Sequence, residues 1–192
     1  MVGVRPQHPY MVSRAVTESR RLLQHFLAAV AYRTQKSLRS APAGFADFRA
    51  GPNVRTPHEL LWHMTRVVGY ARTLLRGGEF KPPAEPTFEA EVSRFHATLA
   101  TLHADFVDVE LTAAITDAQF LQGPLADVMT HAGQLALLRR LAGSPVPPEN
   151  FIFADVQTHR VGPDQPLPAA PDAGWWPEQP PMAVGPDDTT TD

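Results

Sequence analysis

The 192-residue chain contains no cysteine. This absence excludes disulfide bonds, a thiolate nucleophile and every zinc or iron–sulfur site that needs a cysteine ligand. Any metal ion must therefore be bound by histidine, aspartate or glutamate side chains. The chain offers eight histidines and 20 acidic residues for that purpose.

The chain also lacks an excess of basic residues and a long apolar segment. Seventeen lysines and arginines against 20 acidic residues give a formal net charge of −3, which provides no positive field for a phosphate backbone. The best apolar run, residues 26–32, is far too short to span a bilayer, and the N-terminal segment has no apolar core typical of a signal peptide. We therefore expect a cytoplasmic protein that binds neither nucleic acid nor membranes.

Four stretches of the sequence carry the apolar spacing of an amphipathic helix. They span approximately residues 12–38, 57–76, 88–106 and 123–142. In the third stretch the apolar side chains alternate in steps of three and four, which is typical of helices that pack at a shallow crossing angle. Since no strand signal of comparable length lies between the stretches, we predict an all-α fold in which residues 1–144 form a four-helix bundle.

Local signals mark the ends of two of these helices. Thr56-Pro57-His58-Glu59 offers an N-cap hydroxyl, a proline at the first helical position and a glutamate at the third, which together form a capping box. Gly77-Gly78 is typical of a C-cap at the end of the same helix. We place the start of the fourth helix near Gly123-Pro124, because proline is favoured at a first helical position.

The composition changes after residue 144. Eleven of the 20 prolines lie in the last 48 residues, which excludes a helix or a central strand there. The part up to residue 176 nevertheless contains several large apolar side chains: Phe151, Ile152, Phe153, Val156, Trp175 and Trp176. We therefore expect residues 145–176 to wrap the bundle in extended form and residues 177–192 to be disordered.

Two histidines fall within the apolar sector of a predicted helix, His63 in the second and His131 in the fourth. An imidazole turned toward a core loses water, so it needs a hydrogen-bond partner or a metal ion. Asp127 precedes His131 by four residues, which places the two side chains about 6 Å apart on one helix face. The sequence thus predicts a divalent-metal site formed by His63, Asp127 and His131.

A site with three protein ligands keeps a coordination position open, which is typical of catalytic metal sites. Such an ion activates either water or a substrate thiol, so a hydrolase and a thiol transferase both fit. Zinc, nickel, iron and manganese all accept these ligand types. In the alternative interpretation the histidines are core residues with internal hydrogen-bond partners. Asp127 then only stabilises its helix, because a carboxylate in the first turn interacts favourably with the helix dipole. The protein is then a non-catalytic bundle that binds a small molecule or a second subunit.

Other titratable residues are expected to have different roles. Glu59 lies one turn before His63 and offers an extra ligand or a general base, but its place in the capping box favours the structural role. His96 and His103 flank the apolar seam of the third helix, and we expect both to be solvated.

Two elements of the sequence resemble the DinB/YfiT-like superfamily. One is the Leu-x-His-Met segment around His63. The other is His131-Ala132-Gly133-Gln134, which is followed by the helix end Leu-Arg-Arg-Leu-x-Gly. The resemblance covers approximately residues 12–147.

This resemblance implies a four-helix bundle, often a homodimer, that binds zinc, nickel or a similar ion through three histidines. His63 matches the first ligand and His131 the last, whereas Asp127 stands where the family has a middle histidine. The site is then either a His2Asp site that still binds metal or a weakened site in a binding protein. The implied activities are S-transfer with a low-molecular-weight thiol such as bacillithiol or mycothiol, isomerisation and metal-dependent hydrolysis. We expect a thiol S-transferase or hydrolase that acts on a small molecule.

Overall fold

The computed structural model describes residues 17–108 and 115–168. The regular secondary structure within these residues is helical and includes no β-strand, which confirms the predicted all-α fold. Four long helices and one short one are present: α1 (Glu18–Leu38), α2 (Pro57–Arg76), α3 (Phe88–Asp108), α4 (Asp117–Phe120) and α5 (Ala126–Leu141). Within the same ranges, no helix combines the length and the hydropathy that crossing a membrane requires.

The start of α2 follows its capping chemistry. The Glu59 backbone N–H donates to the Thr56 hydroxyl over 3.2 Å, and the Thr56 N–H donates to the Glu59 carboxylate over 2.8 Å. The predicted capping box is therefore confirmed. The helix ends at Gly77, whose φ of +75° suits a residue without a Cβ atom.

One apolar core lies among the long helices. Both α1 and α2 pack against α3 and against α5. The predicted seam of α3 faces this core, as its buried side chains show: Phe95, Leu99, Leu102 and Phe106. This packing places the middle of α2 next to the first turns of α5, where the candidate ligands lie.

The chain before α5 differs from the sequence-based expectation. Thr116 and Gln119 form a capping box that begins α4, and a π-helical turn at Leu121–Leu125 then leads into α5. The prediction that Gly123-Pro124 begin the helix is therefore wrong, because both residues lie inside this turn. Gly123 has non-helical dihedral angles (φ −92°, ψ −108°), and proline lacks the N–H that a regular helix would use.

The segment after α5 contacts α1 at a buried carboxylate. The Tyr32 hydroxyl donates to Glu149 over 2.5 Å, and the Lys36 ammonium group lies 2.7 Å from the same carboxylate. Burial of Tyr32 and its hydrogen bond to Glu149 raise its pKa well above the ordinary value. The ring of Phe151 packs edge-on against Tyr32. These contacts attach the beginning of the C-terminal extension to α1.

Part of the predicted wrapping is not observed. Ile152 and Phe153 are 81% and 65% exposed, because they lie in a short 3-10 turn, Phe151–Phe153, that directs them away from the core. Trp175, Trp176 and the predicted disordered tail lie outside the described residues, as do residues 12–16 of the first predicted helix.

His96 is buried, so the prediction that it is solvated is wrong. Its Nδ1 atom donates to the carbonyl oxygen of Val161 over 2.8 Å. Burial lowers its pKa, and the hydrogen bond to Val161 opposes that shift. His103 is half-buried, and burial lowers its pKa too. The prediction failed because the C-terminal extension covers this face of α3, which the spacing within α3 does not reveal.

Candidate metal centre

His63, Asp127 and His131 lie together. One potential ligand atom of each side chain lies within 4.8 Å of those of the other two. The rings of His63 and His131 meet edge to face with their centroids 4.8 Å apart. His131 Nε2 is 3.3 Å from Asp127 Oδ1. The structure therefore brings all three sequence-predicted residues to one place.

The positions of these residues follow from the helices that carry them. The turn at Leu121–Leu125 leads into α5, so Asp127 lies in the first turn of that helix and His131 one turn later. The side chain of Asp127 is 50% exposed, whereas that of His131 is 10% exposed. His63 is half-buried on α2, which packs directly against α5. The histidines thus form the inner part of the group and the carboxylate its outer part.

The orientation of the His131 ring is set by Gln134, a residue of the His131-Ala132-Gly133-Gln134 element to which we assigned no role from the sequence. His131 Nδ1 lies 2.8 Å from Gln134 Oε1. When Nδ1–H donates to this oxygen, the neutral ring has its lone pair on Nε2, facing the Asp127 carboxylate. Two acceptors 3.3 Å apart repel each other unless a cation or a proton lies between them. This arrangement is typical of a metal-binding histidine and the partner that orients it.

The electrostatic surroundings of His63 favour its neutral form. Burial is the largest cause that lowers its pKa, and the positive charge of Arg55 is the second. Asp127 opposes the shift. Since a metal ion binds only the deprotonated imidazole, these surroundings prepare His63 as a ligand.

The spacing of the group can be compared with that of a metal site. Ligand atoms about 2.1 Å from a tetrahedral ion lie roughly 3.4 Å from one another. The 3.3 Å between His131 and Asp127 already matches this value. The other two separations are at most 4.8 Å, so a bound ion would require the ligand side chains to rotate toward it. The residues present therefore fit a divalent ion.

A cavity of about 990 Å³ adjoins the group, and His63 and Asp127 both line it. Its volume is typical of a small-molecule site. Arginines 55 and 66, a lysine and two glutamines supply the other polar lining. The apolar lining comes from α2, from the loop after it and from the chain before α4: Val67, Tyr70, Leu74, Phe80 and Ile115. The outer side of the three-residue group thus faces a space that a small molecule can enter.

Glu59 does not join the centre. Besides capping α2, its carboxylate pairs with Arg49 at 3.3 Å, and the three-residue group found among the described residues does not include it. The sequence did carry a signal for Gln134, since it lies three residues after His131 and hence on the same helix face. No comparable signal existed for the cavity residues, which only the folded chain brings together.

No protein-family model, no curated protein and no solved structure matches this chain. The likeness to the DinB/YfiT-like superfamily therefore stays a prediction that depends on the sequence elements around His63 and His131.

Proposed function

We propose that the protein binds a divalent metal ion, zinc or nickel, through His63, Asp127 and His131. It then acts as a metal-dependent enzyme on a small molecule in the adjoining cavity. The observation that carries this proposal is the convergence of three ligand-type side chains from two helices within 4.8 Å, with their outer side toward an open cavity. A three-ligand set with an open side is the arrangement of catalytic metal sites. The resemblance of the segments around His63 and His131 to the DinB-like superfamily supports the same proposal.

Each residue has a distinct part in this proposal. The ion, when bound, supplies Lewis acidity that activates a nucleophile at neutral pH. His63 and His131 bind it as neutral imidazoles, and Gln134 keeps the His131 ring in the orientation that directs Nε2 toward the centre. Asp127 contributes negative charge at the cavity side.

Thiol S-transfer is favoured over hydrolysis by the composition of the cavity wall. Among the described residues that line the cavity, Asp127 is the one carboxylate, and the proposal already uses it as a ligand. Water depends on the ion or on a general base to lose its proton, because its pKa in bulk is about 15.7, whereas a thiol with a pKa of about 8.5 is partly ionised at neutral pH without either. In the transfer, the thiol loses its proton to solvent, its sulfur bonds to the electrophilic carbon, and the leaving group departs with the bonding electron pair. A low-molecular-weight thiol would be the co-substrate.

Metal titration tests the proposal. Protein purified without a nickel column is titrated with Zn²⁺ and Ni²⁺ by calorimetry, alongside His63→Ala and His131→Ala. We expect one ion per wild-type chain and a metal affinity more than about 100-fold weaker in both variants. Loss of a residue that only hydrogen-bonds to a ligand already weakens metal affinity by about 10- to 100-fold. His159→Ala removes an exposed histidine and is the matched control. Equal affinity in all four proteins would refute the metal site.

A non-catalytic bundle with a weakened site is the second candidate. The observation in its favour is the 50% exposure of Asp127, because such a carboxylate is well solvated without an ion. In that case adding a chelator leaves the melting temperature of the wild type unchanged. His131→Ala then costs about 1–3 kcal/mol through the loss of its contacts with Gln134 and Asp127.

A further inference from the structure

The charge of the cavity wall is opposite in sign to that of the whole chain. The chain carries a formal net charge of −3. The cavity, by contrast, is lined by Arg55, Arg66 and Lys81, with Asp127 as the one carboxylate among its described lining residues. With His63 neutral, the lining residues carry two more positive than negative charges, and Lys81 is the one of these cations that pairs with a described acidic residue, Glu79. A concave surface that concentrates positive charge attracts anions.

Two of these cations have no acidic partner among the described residues. Further along α2, Arg72 and Arg76 both pair with Asp105 at 2.8 and 2.9 Å. Arg66 instead lies over the ring of Trp62, with its Cζ atom 5.2 Å from the centroid, and Arg55 forms no ion pair with any described residue. Guanidinium groups bind carboxylates and phosphates with two parallel hydrogen bonds. Arg55 and Arg66 therefore present this capacity to the cavity.

Arg55 and Arg66 lie close to the candidate metal centre. Both arginines line the same cavity as His63 and Asp127, two of the candidate ligands. The same wall also has apolar residues, Phe80 and Leu74 among them. A ligand that fits this wall has an anionic group at one end and an apolar body.

We propose that the cavity binds a small organic anion, a carboxylate or phosphate ester with an apolar body, whose charged group is held by Arg55 and Arg66. Its body packs along the apolar wall. The inference deepens the proposed function, on which it depends for the role of the anion as substrate. Anion binding itself depends only on the cavity wall.

Calorimetry with three related probes tests the charge requirement. The probes are 4-phenylbutyrate, phenyl phosphate and the uncharged 3-phenyl-1-propanol, each titrated into metal-free and zinc-treated protein. We expect at least one anion to bind at least about 10-fold more tightly than the alcohol, with an affinity that falls as salt is added. Whichever of the two anions binds more tightly identifies the preferred acidic group. Equal affinity for all three probes would overturn the inference.

Variants test the two arginines. Arg55→Gln and Arg66→Gln should each weaken binding of the preferred anion about 10-fold and leave binding of the alcohol unchanged. Arg66→Lys retains the charge but loses the paired hydrogen bonds, so it should lie between the wild type and Arg66→Gln. Arg21→Gln, an exposed substitution on α1, is the control. Unaltered anion affinity in both glutamine variants would refute the assignment.

The same proteins separate this inference from the proposed function. Zinc titration of Arg55→Gln and Arg66→Gln should give the wild-type stoichiometry, because neither arginine is a ligand. Loss of anion binding in variants that still bind zinc supports the inference. A wild type that binds the anion but no zinc overturns the metal proposal alone, and one that binds zinc but no anion overturns this inference alone.

Discussion

His131 Nδ1 lies 2.8 Å from Gln134 Oε1, less than one turn further along α5. Because this contact determines which ring nitrogen faces Asp127, we expect Gln134→Ala to weaken zinc binding by about 10- to 100-fold, the usual effect of losing a partner that orients a ligand. Zinc titration by calorimetry gives the affinity.

Gln134→Glu is the matched comparison for that experiment. It keeps an oxygen acceptor for Nδ1–H, so its zinc affinity should equal or exceed that of the wild type. Gln134 is exposed, and both variants should unfold within about 0.5 kcal/mol of the wild type. If Gln134→Ala binds zinc like the wild type, Gln134 does not orient the ligand.

Gly69 on α2 permits the close approach of Phe80 from the following loop. A Cβ atom added at Gly69 would lie 1.9–2.4 Å from three atoms of the Phe80 ring, so the ring would have to move. We expect Gly69→Ala to destabilise the protein by about 1–3 kcal/mol, as overpacking does, and to displace part of the apolar cavity wall. Urea unfolding and binding of 4-phenylbutyrate measure the two effects.

Gly133 on α5 is the control for that substitution. A Cβ atom added there meets nothing within 4 Å. Alanine is favoured over glycine inside a helix, so Gly133→Ala should stabilise the protein by about 0.5–1 kcal/mol. A Gly69→Ala protein that is also stabilised would show that Phe80 moves aside at no cost.

The buried His96 predicts a loss of stability in weak acid. Its pKa is lowered in the folded protein by burial, whereas the unfolded chain has the ordinary value of 6.5. The unfolded state therefore binds more protons between these two values, and the free energy of unfolding falls as the pH drops below about 6.5. One such group contributes at most about 1.4 kcal/mol per pH unit.

His96→Asn isolates this contribution, since an asparagine amide can still donate toward the Val161 carbonyl. Urea unfolding between about pH 5 and pH 7.5 should give a shallower pH dependence for His96→Asn than for the wild type. Some slope should persist because burial also lowers the pKa of His63 and His103. His159→Asn, at an exposed position, is the control. An unchanged slope in His96→Asn would contradict the prediction.

Much of the fold and the candidate centre could be predicted from local sequence signals. The capping box at Thr56 and the apolar period of α3 each depend on residues within one helix, and both are observed. The meeting of His63 and His131 was predictable because two inward-facing residues of packed helices share one interior. The apolar periodicity within each helix was therefore enough to predict that these two side chains meet.

Features that depend on how a loop or an extended segment packs over the helices could not be predicted. His96 was expected to be solvated because the sequence of α3 does not show that Val161 packs over it. The start of α4 was missed because Gly123-Pro124 is a strong boundary signal, and the capping box at Thr116 is a weaker one. Arg55 and Arg66 lie eleven residues apart, and only the cavity gives them a common role.

The π-helical turn at Leu121–Leu125 lies between a helix that contributes to the cavity wall and a helix that carries two of the candidate ligands. Gln119 lies on α4 and belongs to the cavity wall, whereas Asp127 and His131 lie on α5. If the proposed function holds, substitutions on α4 would alter the wall that a small molecule meets without replacing a candidate ligand on α5. Such modularity would let evolution adapt the proposed centre to new small molecules through changes confined to a few residues before the turn.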